Sequence, residues 1–332
     1  MKEKHAHHEH DHSHHDHDHD HHDHDHHGHS HQGHGHGHAH EPPQSFNAAF
    51  AIAVTLNLAF TIFQIVYAFL ANSMSLLADA AHNFGDVFGL VLAWGASWLL
   101  TLPARKRYSY GFKRTTILAA LVNAVILVAT SALITFESVY KFFHLSEVNG
   151  SIVIIVAAIG IVINGGTALL FMKGAHDDLN IKGAFLHLMG DALISFGVVV
   201  TGILITLTGK MWLDPLAGLI IVTIILWGTW GLMRDSVRLI LDAIPHHIDH
   251  HGVEHFLKTL PGVDAVHDLH IWGLSTKEIA LTAHLIMPSS NLTDADYEKI
   301  NLTLKKQFRI DHATIQVETG SKEFPCVRSE TC

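Results

Sequence analysis

Apolar segments long enough to cross a membrane fill the middle of this chain and limit what it can fold into. A helix needs roughly 20 apolar residues to cross about 30 Å of hydrocarbon. Within residues 46–240, six such segments alternate with short polar breaks, at about 47–70, 81–101, 115–139, 151–172, 184–208 and 214–234. Apolar runs of this length are typical of membrane-spanning helices. The sequence therefore predicts an α-helical polytopic membrane protein with six transmembrane helices.

Composition supports this assignment and sets the N-terminus apart. The chain is 48% hydrophobic and 16% charged, whereas a soluble protein carries about 25% charged residues. Residues 1–45 are rich in His, Asp and Gly and hold nine acids against two lysines, so most of the net charge of −10 lies there. We expect this tail to be disordered and cytoplasmic and to chelate Zn²⁺ weakly. For the protein as a whole we expect no nucleic-acid partner.

Soluble composition returns after the last apolar segment. Residues 252–260 have helical spacing, 266–272 and 279–287 are typical of strands, 293–309 of a helix and 313–317 of a third strand. This order predicts a small sheet with helices on one face, over residues 246–320. A C-terminal tail, 321–332, follows with Cys326 and Cys332, whose spacing is too wide for a strong metal motif.

Basic residues near the ends of the segments indicate the orientation. One set of loops contains Arg105, Lys106, Arg107, Lys113, Arg114, Lys173, Lys182, Arg234 and Arg238. The opposite loops contain Lys141 and Lys210. Because positive charge is retained on the cytoplasmic side, both termini are predicted to be cytoplasmic, which agrees with an even number of spans.

Two matching pairs of ionisable residues lie inside predicted spans. His82 and Asp86 are four residues apart in the second span, and His187 and Asp191 have the same spacing in the fifth. Residues at i and i+4 share one helix face, and ionisable groups in hydrocarbon are costly and usually functional. If the two helices face each other, the four side chains form a tetrahedral N2O2 site that suits Zn²⁺ and tolerates Co²⁺ or Cd²⁺. The alternative is two ordinary interhelical hydrogen bonds, and the duplication favours metal.

Residues 46–320, which include both His–Asp pairs, resemble the cation diffusion facilitator family of bacterial cation-efflux and zinc-exporter proteins. The motifs that carry the resemblance are SLLADAAH at 75–82, YSYGFKR at 108–114, WLDP at 212–215 and VHDLHIW at 266–272. The resemblance implies six helices, a cytoplasmic α+β domain of ferredoxin-like type, a homodimer and exchange of metal for protons. It also implies that His82, Asp86, His187 and Asp191 form the transport site, and it associates His82 with zinc over cadmium. The loop at 101–114 contains no acid or His, so we assign it no metal site.

A second candidate metal group lies in the C-terminal region. His267 and His284 are on the first two predicted strands, and Glu318 and His312 flank the third. A direct turn between the first two strands would bring His267 close to His284. Resemblance to family members with metal in this domain supports Zn²⁺ binding by His267, His284 and Glu318, and by His312. The alternative is a set of surface or hydrogen-bonded histidines.

Three further charged residues have two interpretations each. The family places a charge pair at positions resembling Arg114 and Asp242, although both could be solvated. Asp79 lies one turn before His82 and could help a cation leave. We favour the alternative, that Asp79 caps the start of the second transmembrane helix.

The pattern excludes some classes of function. A metalloenzyme would need a general base beside the metal, and the sequence has no HExxH motif and no Glu adjacent to either His–Asp pair. A metal sensor or store would not need ligands in mid-membrane. Composition leaves a passive channel as an alternative, which would differ in not requiring a proton gradient. We therefore expect a non-enzymatic, proton-coupled antiporter in the cell (inner or plasma) membrane that exports Zn²⁺, with Co²⁺ or Cd²⁺ as alternatives. Its partners would be divalent metal ions, protons and the lipid bilayer.

Overall fold

A computed structural model describes residues 48–105, 107–172, 179–289 and 292–320. Six helices come first in the described chain: α1 (Ala48–Leu70), α2 (Met74–Leu100), α3 (Thr115–Phe143), α4 (Gly150–Met172), α5 (Leu179–Thr208) and α6 (Leu213–Ile240). The C-terminal domain follows, with α7 (His250–Lys258), β1 (Ala265–Gly273), β2 (Ile279–Ile286), α8 (Asp294–Phe308) and β3 (His312–Glu318). The predicted tails at 1–45 and 321–332, with Cys326 and Cys332, lie outside the described residues, as do Lys106 and Lys173.

The helices of the first half form an integral membrane domain. Helices α2 to α6 are long and apolar enough to cross a membrane, which confirms five of the predicted spans. Helix α1 contains a shorter apolar stretch, Val54–Leu70, so its role as a sixth span remains a prediction. Large apolar side chains such as Trp227 and Phe136 point outward, 85% and 72% exposed, as expected for surfaces that face lipid.

Helix α2 begins earlier than its apolar pattern predicts, because Ser73 caps it. The Ser73 side chain accepts a hydrogen bond from the backbone N–H of Leu76, which satisfies one of the free donors of the first turn. Asp79 therefore lies inside the helix and is completely buried. The interpretation of Asp79 as a helix cap is wrong.

A buried carboxylate joins the start of α2 to the start of α6. Asp214 is fully buried in the first turn of α6. It accepts hydrogen bonds from the hydroxyls of Ser73 and Ser75, the latter at 2.7 Å, and from the backbone N–H of Met74. A negative charge at a helix N-terminus is favourable because the free N–H groups carry partial positive charge. We call the end of the bundle at which α2 and α6 begin the far end.

Two ion pairs lie at the opposite end of the bundle, which we call the domain end, and one of them reaches the C-terminal domain. Arg114 Nη2 lies 2.6 Å from Asp242 Oδ1, so the structure contains this pair. Lys113 forms an ion pair with Glu278, just before β2, and the backbone N–H of Thr276 donates to Thr116 Oγ1 at 3.1 Å. The N-terminus of α3 thus contacts the β1–β2 turn.

The C-terminal domain is a small α/β fold, as predicted. Its three strands lie in the order β1-β2-β3, with β1 antiparallel and β3 parallel to β2. The parallel pair is connected through α8, because parallel neighbours require a crossover. Apolar residues of α7 and α8, including Leu257 and Leu304, are buried with β2 residues such as Leu281 and Leu285 in one core.

We predict that replacing Asp214 by Ala lowers the free energy of unfolding by on the order of 3 kcal/mol, because several buried donors lose their acceptor. Chemical denaturation in detergent micelles would measure this change. Asp235→Ala is the control, because Asp235 is on the same helix but exposed, with partners Arg234 and His246. Its effect should stay within about 0.5 kcal/mol. Equal losses in both variants would contradict the role assigned to Asp214.

Candidate metal sites

The two His–Asp pairs of the apolar bundle meet between α2 and α5. His82 Nε2 lies 3.1 Å from Asp191 Oδ1, and His187 Nε2 lies 3.3 Å from Asp86 Oδ2. Within each helix, the imidazole also lies 3.6 Å or 3.5 Å from its own aspartate. Each imidazole therefore contacts both carboxylates, and the four predicted residues converge on one place.

The geometry of this group fits a small cation. Ligand atoms of His82, Asp86 and Asp191 all lie within 4.8 Å of one another. A tetrahedral zinc site with bonds of about 2.0 Å separates its ligand atoms by about 3.3 Å, so small side-chain movements would complete the shell. His187 joins the group through its contacts with both carboxylates.

The four side chains lie among mostly apolar residues. They line a cavity of about 210 Å³ whose other walls include Leu127 of α3 and Ile225 of α6. Such surroundings have a low dielectric constant, so two carboxylates need a compensating cation or protons there. His82 and Asp191 are 8% and 4% exposed. The arrangement is suited to hold a divalent ion away from water.

Two glycines of α2 determine how closely α3 approaches the group. A Cβ atom on Gly85 would lie 2.1 Å from Leu127 Cδ2, and one on Gly89 would lie 2.7 Å from Asn123 Nδ2. Glycines four residues apart on one face let two helices approach closely. The apolar pattern of α3 does not single out Asn123, yet Asn123 lines the same cavity. The spacing of Gly85 and Gly89 was the signal for this close approach.

A hydrogen-bond network surrounds Asp79 on the far side of the group. Asp79 Oδ2 accepts hydrogen bonds from Gln64 Nε2 at 2.6 Å and from Ser195 Oγ at 2.9 Å. Gln64 Oε1 accepts from Asn83 Nδ2 at 2.9 Å. The network links α1, α2 and α5 one turn beyond His82.

The second predicted group lies on the sheet of the C-terminal domain. His267 of β1 and His284 of β2 are direct cross-strand partners. Glu318 ends β3, with its carboxylate oxygens 3.3 Å from His267 Nε2 and 2.8 Å from His284 Nδ1. The three ligand atoms lie within 4.8 Å of one another, as a metal site requires.

A fourth residue near this group is Asp268, which the strand pattern did not indicate. Asp268 Oδ2 lies 3.5 Å from His284 Nε2. Strand register is irregular between His267 and His270, and Asp268 has a left-handed φ of 50°. Regular alternation would turn Asp268 away from His267, so this β-bulge is what brings both to one side. No sequence signal indicated the bulge.

The structure does not bring His312 to the group. His312 begins β3 and pairs with Ala280, whereas Glu318 ends the strand beside Ile286. The His312 ring instead packs edge-on against Tyr110, with ring centroids 5.9 Å apart. The strand's length separates His312 from His267 and His284, so its predicted place among the ligands has no geometric support.

A third group of metal-ligating types lies on the surface of α7. Ligand atoms of His250, His251 and Glu254 lie within 4.8 Å of one another. Lys258 Nζ donates to Glu254 Oε1 at 2.6 Å and lowers the pKa of the Glu254 carboxyl. Lys258 thus competes with any cation for this carboxylate. The i, i+4 spacing of His250 and Glu254 was visible in the sequence.

Comparison with known proteins places these groups in context. A family model described as "Cation efflux transmembrane domain" matches residues 50–241, and "Cation efflux protein, cytoplasmic domain" matches residues 245–320. The chain is 31% identical to the cation efflux system protein CzcD of Alcaligenes sp. (strain CT14), over 88% of this chain and 92% of that protein. It is 31% identical to the zinc transporter ZitB of Escherichia coli (strain K12), over 84% and 90%. It is 32% identical to the cadmium, cobalt and zinc/H(+)-K(+) antiporter of Bacillus subtilis (strain 168), over 78% and 85%.

We predict that Zn²⁺ protects His267 and His284, but not His312, from carbethoxylation by diethyl pyrocarbonate. Residue-resolved mass spectrometry of the full chain would measure this protection. Glu318→Gln should weaken the apparent affinity for Zn²⁺, as measured by this protection, by roughly tenfold or more, because a ligand is lost. His312→Ala is the matched control and should leave the protection unchanged. Protection of His312 at the same Zn²⁺ concentration would contradict the assignment.

Proposed function

Because the chain belongs to the cation efflux family, we propose that it exports Zn²⁺ from the cytoplasm in exchange for protons. The chain is a transporter rather than an enzyme. The observation that carries the proposal is the mutual contact of two imidazoles and two carboxylates from facing helices in an apolar bundle. His82, Asp86, His187 and Asp191 form the proposed transport site.

The ligand set favours zinc. Imidazole nitrogen with carboxylate oxygen suits Zn²⁺ in a four-coordinate shell, tolerates Co²⁺ or Cd²⁺, and suits Mg²⁺ or Ca²⁺ poorly. Two ionised carboxylates cancel the charge of one divalent cation, so the loaded site is close to neutral. Relatives named for zinc, cadmium and cobalt support the same range of metals.

Proton exchange follows from what the emptied site requires. Without the cation, two carboxylates in an apolar cavity would leave a charge of about −2, which is expensive in a membrane interior. Metal and protons compete for the same atoms, because histidine and aspartate must be deprotonated to ligate. The His82–Asp191 contact at 3.1 Å has hydrogen-bond geometry, so a proton shared by these two proposed ligand atoms would take the place of the metal. Inward movement of protons would thus release the cation on the far side.

Further parts of the proposal concern assembly and orientation. We propose that α1 is the sixth span, so that both termini and the C-terminal domain are cytoplasmic in the cell membrane. A ferredoxin-like relationship is supported by the antiparallel β1–β2 pair followed by the β2-α8-β3 crossover. The matching of residues 245–320 to a family model for the cytoplasmic domain supports both the orientation and a homodimer. Zn²⁺ would bind in this domain to His267, His284 and Glu318.

Reconstituted protein tests the transport site. In proteoliposomes that contain a pH-sensitive dye, addition of Zn²⁺ should cause counter-movement of protons. Asp86→Asn or Asp191→Asn should reduce zinc flux by about a hundredfold or more, since each removes a charged ligand. Asp235→Asn, an exposed acid on α6, is the control. Normal flux in both site variants would refute the site, and zinc flux without proton movement at any imposed gradient would leave a channel.

We predict that His82→Asp admits cadmium more readily. An imidazole offers one directional nitrogen, whereas a carboxylate can ligate through both oxygens and suits a larger ion. The ratio of Cd²⁺ to Zn²⁺ transport rates should rise by roughly tenfold, equivalent to about 1.4 kcal/mol. Competition between the two metals in the same vesicles would measure the ratio. A ratio equal to that of the unaltered protein would show that His82 does not set selectivity.

A further inference from the structure

Asn123 is a buried polar residue that the hydrogen bonds of the bundle leave unexplained. Its side chain is 7% exposed, and its Oδ1 atom has no hydrogen-bond partner in the described ranges of the chain. A buried oxygen without a partner costs about 1–3 kcal/mol. A ligand that binds to this oxygen would offset that cost. Asn123 lines the same cavity as the four residues of the proposed transport site.

The packing of α2 places this amide on the domain side of the site. Gly89 is three residues beyond Asp86, about 4.5 Å further along α2 toward the domain end. A Cβ at Gly89 would lie 2.7 Å from Asn123 Nδ2 and 3.2 Å from Oδ1, so the missing side chain leaves the space that the amide occupies. Leu127, one turn along α3, packs in the same way on Gly85.

We infer that Asn123 is a further metal-binding residue, whose Oδ1 ligates the cation on the domain side before His82 and His187 complete the shell. The inference rests on the proposed function, in which the cation enters from the domain end. An amide oxygen is a neutral ligand that binds divalent cations less strongly than a carboxylate does. It can replace one water of the entering ion without retaining the ion. Because the amide does not titrate, its contribution is independent of the protons that control the four-residue site.

Zinc uptake kinetics in proteoliposomes test this role. Asn123→Leu keeps the approximate size of the side chain and removes the oxygen, so the KM for Zn²⁺ should rise roughly tenfold at unchanged kcat. Ser138→Ala is the matched control, because Ser138 is also buried on α3 and its hydroxyl lacks a hydrogen-bond partner within the described residues. Ser138 is not among the residues that line the cavity, and its variant should keep the KM of the unaltered protein.

A glycine pair repeats the test with Asn123 in place. Gly89→Ala should push the amide away and raise the KM as Asn123→Leu does. Gly95→Ala is the control on the same helix, because a Cβ there meets no atom within 4 Å among the described residues. If Asn123→Leu fails to fold, the comparison of Gly89→Ala with Gly95→Ala decides the question.

Metal selectivity separates ligation from packing. Asn123→Asp adds a carboxylate, so acceptance of Mn²⁺ relative to Zn²⁺ should rise roughly tenfold, and the KM should become pH-dependent. A packing role would change neither. Unchanged KM in Asn123→Leu and Gly89→Ala, or a loss confined to kcat, would overturn the inference. Zinc flux without proton movement in the unaltered protein would refute the proposed exchange instead, and the KM comparison would still stand.

Discussion

Burial of two carboxylates inside an apolar bundle is the constraint on which the rest of this structure depends. Asp86 and Asp191 face each other across α2 and α5, and each lies close to both imidazoles. Neither charge can stay uncompensated at low dielectric constant. The site must therefore hold either protons or a cation. A transport cycle needs the site to alternate between the proton-bound and the cation-bound form. The length of the apolar helices, their packing, and the close approach of α3 to α2 at Gly85 all position these four side chains.

The two ends of the bundle are held by interactions of different strength. At the far end, Asp214 and Asp79 are fully buried and accept several hydrogen bonds each, which join α1, α2, α5 and α6. At the domain end, the pair of Arg114 with Asp242 is exposed. Exposed ion pairs contribute about 0–1 kcal/mol each, whereas breaking buried charged networks costs several times more. The exposed pair at the domain end is therefore a weaker interaction than the buried networks at the far end.

The C-terminal domain brings metal-ligating side chains together in a different way. His267, His284 and Glu318 come from three neighbouring strands, so the sheet register, rather than helical periodicity, brings them together. The bulge at Asp268 adds a second carboxylate beside His284. Because the β1–β2 turn contacts α3 through Thr276 and Thr116, a change at the sheet is structurally connected to the domain end of the bundle.

The sequence by itself determined the elements and the ligands that are local to one element. Apolar length specified five of the helices, and the i, i+4 spacing specified each His–Asp pair, because both depend only on helix geometry. The order of helices and strands in the C-terminal domain followed from periodicity in the same way. Only the tertiary structure decided that Asp79 is a network acceptor and not a cap, since Ser73 starts the helix earlier. It also decided that Asp268, and not His312, lies beside His267, His284 and Glu318, because a β-bulge turns Asp268 toward them. Finally, it decided that Asn123 lines the cavity, because α3 packs closely on two glycines of α2.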